Sequence, residues 1–227
     1  MFSRYLLLLV LAVCCWADDS VTATEPLAKD GDDSVNVQGE NSLLATKQKT
    51  SFQNPYDFVT HCSGNLIGNI LKGFDFNEIV NSGNYKYLYS SNLNPVLDKC
   101  ASGNIYGDKN IGFRAAATIF NFKNQPSSVV YGLSPKGDGT IDETLTLRGT
   151  TYKFVLVPLA FERKTGVFYY GRCSPNGRGE TENRSIVVSQ CNAESDKAKT
   201  IVQDYVKRDA ASGYKGRRLI KFQTCPK

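Results

Sequence analysis

The chain has 227 residues, 41% of them hydrophobic and 22% charged, with a net charge of +5 at neutral pH. Past its first residues no apolar run approaches the ~18 that a membrane-spanning helix needs, and a single histidine, His61, excludes a multi-histidine zinc site and leaves one place to build a Ser-His-Asp triad. The basic balance would suit nucleic acid, glycosaminoglycan or an anionic membrane, but only Lys215, Arg217, Arg218 and Lys221 cluster; solvated charge on an outer strand face is the simpler reading, and no nucleic-acid partner is expected.

Taken in order, MFSRYLLLLVLAVCCWA carries Arg4, an apolar run from Tyr5 to Val13 and small residues up to Ala17. This is the pattern of a secretory signal peptide over 1–17, and it predicts a secreted, extracellular protein. Its removal takes Cys14, Cys15 and Trp16 and leaves Cys62, Cys100, Cys173, Cys191 and Cys225 for an oxidising compartment. Residues 18–50 hold seven acids against three lysines and almost no aromatic residues. Such a segment cannot bury enough apolar surface to offset its ordering entropy, so a disordered acidic stretch is expected there. The remainder, 51–227, is one domain's worth of chain.

The stretch Gly73–Tyr106 opens with a short amphipathic turn, Phe74, Phe76 and Ile79 among Asp75, Asn77 and Glu78, and breaks at Asn81-Ser82-Gly83. Tyr85, Tyr87 and Tyr89 then alternate with Lys86, Leu88 and Ser90, the period of a strand with two unlike faces. A loop with Pro95 follows, and a second strand starts at Cys100. Phe113–Phe122, Ser127–Leu133, Thr140–Leu147, Thr151–Leu159, Val167–Cys173 and Arg184–Gln190 read as further short strands separated by glycine-, proline- and asparagine-rich turns, with Pro158 expected at a strand end or edge. Eight strands spaced near ten residues describe an antiparallel up-and-down barrel or a sandwich. One helix follows over about 195–209, capped by Ser195, with Ala198, Ile201, Val202, Tyr205 and Val206 on one face. A last extended piece runs from Arg217 to Thr224.

The order of these pieces resembles the lipocalin family, in the branch of apolipoprotein D and the insect bilin-binding proteins such as insecticyanin. Gly83-Asn84-Tyr85-Lys86 stands where that family has Gly-x-Trp-Tyr, Cys100-Ala101-Ser102-Gly103 opens the second strand, Val187-Val188-Ser189-Gln190 resembles the eighth-strand motif, and Phe222-Gln223-Thr224-Cys225-Pro226 resembles the chain end. The usual Thr-Asp-Tyr motif is absent near Leu159-Ala160-Phe161, which marks a divergent member. The resemblance implies an all-β fold: an eight-stranded barrel with a short helix before it and the C-terminal helix packed outside. Where the family stacks an arginine on its tryptophan, this chain has Gln190 and Tyr85, and a hydrogen bond between the two is the expected replacement.

The same resemblance implies Cys62–Cys173 and Cys100–Cys225 bridges, although spacing alone permits other pairings, and leaves Cys191 as the unpaired thiol, inert or available for a dimer. Were Cys100 and Cys173 to face outward, alternation would turn their neighbours inward. The interior would then be lined by Tyr87 and Tyr89, Ile105, Ala115, Ala117 and Ile119, and Phe168, Tyr170 and Arg172, with Tyr85, Ala101 and Gly103 beside them. Barrels of this size have room for one small ligand.

These readings lead to a secreted carrier of a small hydrophobic ligand, a fatty acid, retinoid, sterol or pigment, whose polar end, if anionic, would meet Arg172. Loops including Ser91–Lys99 would gate access. No cofactor, metal or catalytic residue is expected: His61 lies before the barrel, and the one lipocalin enzyme class with a cysteine inside its barrel would here have only Cys191 to use. Asn183-Arg184-Ser185 is the sole N-glycosylation acceptor. The alternative is an interaction or inhibitor protein of the same fold whose loops or basic surface bind a protein partner. Monomer, or dimer through Cys191, and transient membrane or receptor contact complete the expected partners.

Overall fold

The computed structural model describes residues 61–92, 98–108, 110–147, 149–175, 177 and 181–225. The leader and acidic stretch, and most of the Ser91–Lys99 loop, lie outside them. Two short helices come first, α1 (Gly64–Gly68) and α2 (Phe76–Val80), with Ser63 and Asp75 accepting a backbone N–H at their N-termini. Strands β1 (Asn84–Ser90), β2 (Asp98–Asp108), β3 (Gly112–Asn121), β4 (Pro126–Pro135), β5 (Ile141–Leu147), β6 (Thr150–Glu162), β7 (Val167–Cys173) and β8 (Asn183–Ser189) follow. Helix α3 (Asp196–Ala211) and the two-residue β9 (Ile220–Lys221) end the described chain.

From β1 to β8 each strand pairs antiparallel with the next, and β1 pairs with both β8 and β2. The sheet therefore closes on itself into the expected barrel, which leaves no sheet edge between β2 and β8. Gly107 has φ of +104°, and a Cβ there would fall 2.1 Å from the Gly112 carbonyl oxygen, so the β2–β3 turn needs glycine at that place.

Alternation along the strands sorts the apolar residues into two cores. Inside the barrel lie Tyr85, Phe113, Tyr131, Leu133, Ile141, Leu145, Phe154, Leu156, Phe168, Tyr170 and Val187, with Phe76 and Ile79 of α2 joining them at one end. Outside, Val157, Leu159, Val167, Tyr169, Ile186 and Val188 pack against Leu66 of α1 and against Ala198 and Val202 of α3. Leu66 fits because β7 has Gly171 beneath it, where a Cβ would come within 2.5 Å of the leucine methyl. Helix α3 is the expected one, capped by Ser195 Oγ accepting from Ala198 N at 3.2 Å.

Two expectations change here. Pro158 sits within β6 rather than at its end, beside a register shift between Pro158 and Ala160 that turns both Leu159 and Ala160 outward. A bulge tolerates a residue without an N–H. Gln190 is exposed, and the Tyr85 hydroxyl donates instead to the Ile79 carbonyl of α2 at 3.0 Å, so the Tyr85–Gln190 bond does not form.

The Cys62–Cys173 and Cys100–Cys225 bridges are both closed, spanning 111 and 125 residues. They tie the segment before the barrel and the chain end to its outer side. Cys191 is disulfide-bonded as well, which overturns the expectation of an unpaired thiol at that position.

Candidate functional site

The barrel interior holds a cavity that begins above α2. Phe76, Ile79 and Tyr85 floor it, and Ile105, Ala115, Tyr131, Leu133, Ile141, Leu156, Phe168 and Val187 are among its walls. About 570 Å³ within this lining is free of atoms, the part open to solvent included. Small residues, Gly103 of β2 and Ala115 of β3, line it together with the large rings of β7. Those rings are ordered. Phe168 stacks on Tyr170 at 5.1 Å and on Phe74 at 5.6 Å, and Phe76 meets Phe113 edge-on at 4.9 Å.

Of the sequence-derived lining residues, Tyr87, Ile105, Ala115, Phe168, Tyr170 and Arg172 reach the cavity, whereas Tyr89, Ala117 and Ile119 do not. Tyr89 fails for a local reason. The β1–β8 register shifts between Tyr87 and Tyr89, so Tyr87 faces inward opposite Val187 while Tyr89 sits opposite the outward Ile186. The Tyr89 hydroxyl then accepts from Gln203 Nε2 of α3 at 3.2 Å. Beyond the bulge Ser90 takes the inward place and meets Ser185 Oγ at 3.1 Å. Ala117 and Ile119 lie further along β3 than Ala115, toward the β3–β4 turn and past the cavity.

The polar part of the wall was only half foreseen. Arg172 faces inward, but its charge is taken up by Glu143 of β5, which alternation places between Ile141 and Leu145 on the inner face. Arg172 Nη2 donates to Glu143 Oε1 at 2.8 Å, and Nε approaches Oε2 at 2.6 Å, an ion contact off the hydrogen-bond axis. The Glu143 side chain is 2% exposed and that of Arg172 17%. The guanidinium also lies 5.0 Å from the Tyr131 ring centre and 5.7 Å from that of Phe154. Burial pushes the Glu143 carboxyl up, and Arg172 offsets part of that. Burial is the largest single influence on Arg172 and works against its charge, but Glu143 together with Tyr131, Tyr170 and Tyr87 outweighs it, and the guanidinium stays charged. Burial raises the Tyr87 and Tyr170 hydroxyls, leaving them neutral hydrogen-bonding groups that interact with each other.

Asn183, the glycosylation candidate, pairs with Arg172 in the β7–β8 register and so shares its inward face. It is 5% exposed, and its Oδ1 has no hydrogen-bond partner among the described residues. That placement argues against a carbohydrate there, because a glycan must leave through solvent. His61 is exposed outside the barrel, bridged to Ser174 beside the Cys62–Cys173 bond. Among the described residues no group of side chains could hold a metal ion, and no helix is long and apolar enough to cross a membrane.

A second buried ion pair lies outside the barrel. Arg184 of β8 donates from Nε to Asp209 Oδ1 of α3 at 2.6 Å, and the Tyr169 hydroxyl donates to the same oxygen at 2.6 Å. Arg184 reaches the Arg217 carbonyl at 2.7 Å as well, tying the helix, the barrel wall and the chain end together. Its sequence signal was Asp209 standing on the apolar stripe of α3, one turn beyond Tyr205 and Val206.

A closed eight-stranded up-and-down barrel, hollow within, floored by a short helix and flanked by one C-terminal helix, is the lipocalin fold. Solved structures share it at low sequence identity. Insecticyanin from the tobacco hornworm Manduca sexta is 15% identical, with a TM-score of 0.54 over 68% of this chain and 83% of that one. Apocrustacyanin C1 is 16% identical, with a TM-score of 0.51 over 75% and 94%. A biogenic amine-binding protein is 11% identical, with a TM-score of 0.51 over 66% and 82%. No protein-family model and no curated protein matches the sequence.

Proposed function

We propose that the protein is a secreted carrier that holds one small, largely apolar molecule inside its barrel. The cavity carries this reading: its walls are apolar and aromatic, and its interior is reached by only a few polar groups. Binding is partition, in which the walls remove the ligand's apolar surface from water at roughly 25 cal/mol per Å². A structure of the same fold is that of a biogenic amine-binding protein, which supports small-molecule binding as the use of such a barrel. The leader-like first residues and the two bridges joining Cys62 to Cys173 and Cys100 to Cys225 support secretion. Binding rather than catalysis is favoured because the charged groups facing the cavity, Arg172 and Glu143, neutralise one another.

Titration with the neutral fluorophore N-phenyl-1-naphthylamine tests the proposal. Saturable emission enhancement is the expected result. Ala115→Phe fills part of the cavity and is expected to weaken binding by about tenfold with the far-ultraviolet spectrum unchanged, overpacking being tolerated at a cost of ~1–3 kcal/mol. No enhancement by the unaltered protein would return the argument to a filled barrel that works through its surface.

A further inference from the structure

Resting on that carrier reading, we propose that the barrel selects its ligand by charge. It accepts an uncharged molecule with an aromatic or similarly flat apolar body and a hydroxyl or carbonyl group, and it rejects carboxylates and ammonium ions of the same shape.

The geometry of the inner wall carries this. Glu143 stands on β5 and Arg172 on β7, so the ion pair reaches across β6 between them, over Phe154 and Leu156, which pair with Glu143 and Arg172 respectively. Two contacts, at 2.6 and 2.8 Å, join the partners, and the Tyr131 and Phe154 rings flank the guanidinium. The pair is part of the wall, and its net charge is zero.

A ligand carboxylate would either displace Glu143, stranding a carboxylate that is 2% exposed, or share the guanidinium with it and add an uncompensated negative charge to the buried site. An ammonium ion would likewise either strand Arg172 or add an uncompensated positive charge beside it. Removing one partner of a buried pair costs far more than the pair itself contributes, so neither exchange is favourable. An uncharged oxygen meets no such obstacle. It can accept from a guanidinium N–H that Glu143 leaves unused, or exchange hydrogen bonds with Tyr87 and Tyr170, both neutral and both lining the cavity. The stacked Phe168 and Tyr170 rings offer a flat face to the apolar body. The inward Arg172, read from the sequence as a receptor for an acid, is thus committed to the protein.

Three near-isosteric probes decide it: 1-naphthalenemethanol, 1-naphthoate and 1-naphthylmethylammonium, each displacing N-phenyl-1-naphthylamine at neutral pH. The alcohol is expected to bind about tenfold or more tightly than either ion, the scale of one uncompensated buried charge interaction. Glu143→Gln leaves the cavity with the Arg172 charge and is expected to improve 1-naphthoate by about tenfold, while the alcohol changes little. Arg172→Gln is expected to do the same for the ammonium probe. If the unaltered protein binds 1-naphthoate or the ammonium ion as tightly as the alcohol, the inference is overturned while the carrier reading stands. The inference also falls if both variants fold and neither shifts an ion's affinity. Should the variants not fold, the ranking in the unaltered protein decides alone. Failure of the fluorophore and all three probes to bind would overturn the carrier reading and this inference together.

Discussion

Tyr85 shows how one side chain holds the floor of the barrel. It is 3% exposed, lines the cavity, and gives its hydroxyl proton to the Ile79 carbonyl at the end of α2. Burial raises its pKa to about 12, against a weaker opposing pull from Ser82. The sign follows from linkage: with the folded value above the unfolded one of ~10, the stabilisation is complete below about pH 10 and is lost as pH rises toward 12, because the unfolded chain releases the proton first. Tyr87, Tyr169 and Tyr170 are raised in the same sense, chiefly by burial, so alkaline unfolding has several contributors. A spectrophotometric tyrosine titration is expected to resolve an early exposed class and a late class that ionises only as the protein unfolds. Tyr85→Phe removes one late tyrosine and costs about 1 kcal/mol by chemical denaturation, the scale of one buried hydrogen bond. An early-titrating Tyr85 would contradict its placement.

At the scale of elements, α3 is held by an apolar stripe and one ion pair. Ala198 and Val202 are buried against the outer core, and Asp209, 5% exposed, receives both Arg184 and Tyr169. Asp209→Ala would leave the Arg184 charge buried with only carbonyl partners, and is expected to cost about 3 kcal/mol and to raise amide exchange through the last two turns of α3. The strands and this helix were legible in the sequence because periods of two and 3.6 are imposed by burying one face. The bulges were not. Alternation predicts Tyr85, Tyr87 and Tyr89 on one side, and nothing local reveals that the ladder with β8 slips at Leu88 and sends Tyr89 to Gln203. Glu143 and Asp209 were visible as charges at positions whose neighbours are apolar. Their partners were not, because Arg172 and Arg184 lie 29 and 25 residues away and only the closed barrel brings each pair together.

For the molecule as a whole, the closure of the barrel has a thin seam. β1 pairs with β2 at three positions only, Asn84, Tyr85 and Lys86, whereas β2 and β3 pair along almost their full length. Past Lys86 the two strands separate, and the chain end fills the gap: β9 pairs with Tyr89 and Ser90, Phe222 N donates to the Leu88 carbonyl, and Gln223 N donates to that of Lys99. The Phe222 ring meets Tyr87, a cavity residue, edge-on at 6.1 Å. Two paired residues cannot hold a strand by themselves, so the Cys100–Cys225 bond, next to these contacts in the chain, keeps the end in place. Changing both cysteines to serine is expected to cost about 2–4 kcal/mol, the usual range for closing a long loop. A uniform loss would show only as a lower midpoint in denaturant. The seam predicts more: amide protection should fall first at Tyr89, Ser90, Phe222 and Gln223, while β3 to β6 keep theirs. If the cavity binds its probe as proposed, the same double variant should release N-phenyl-1-naphthylamine faster, because the wall beside Tyr87 then opens without unfolding the barrel. Equal loss of protection around all the strands would show that the chain end supports the fold as a whole and that β1 and β2 close the barrel without it.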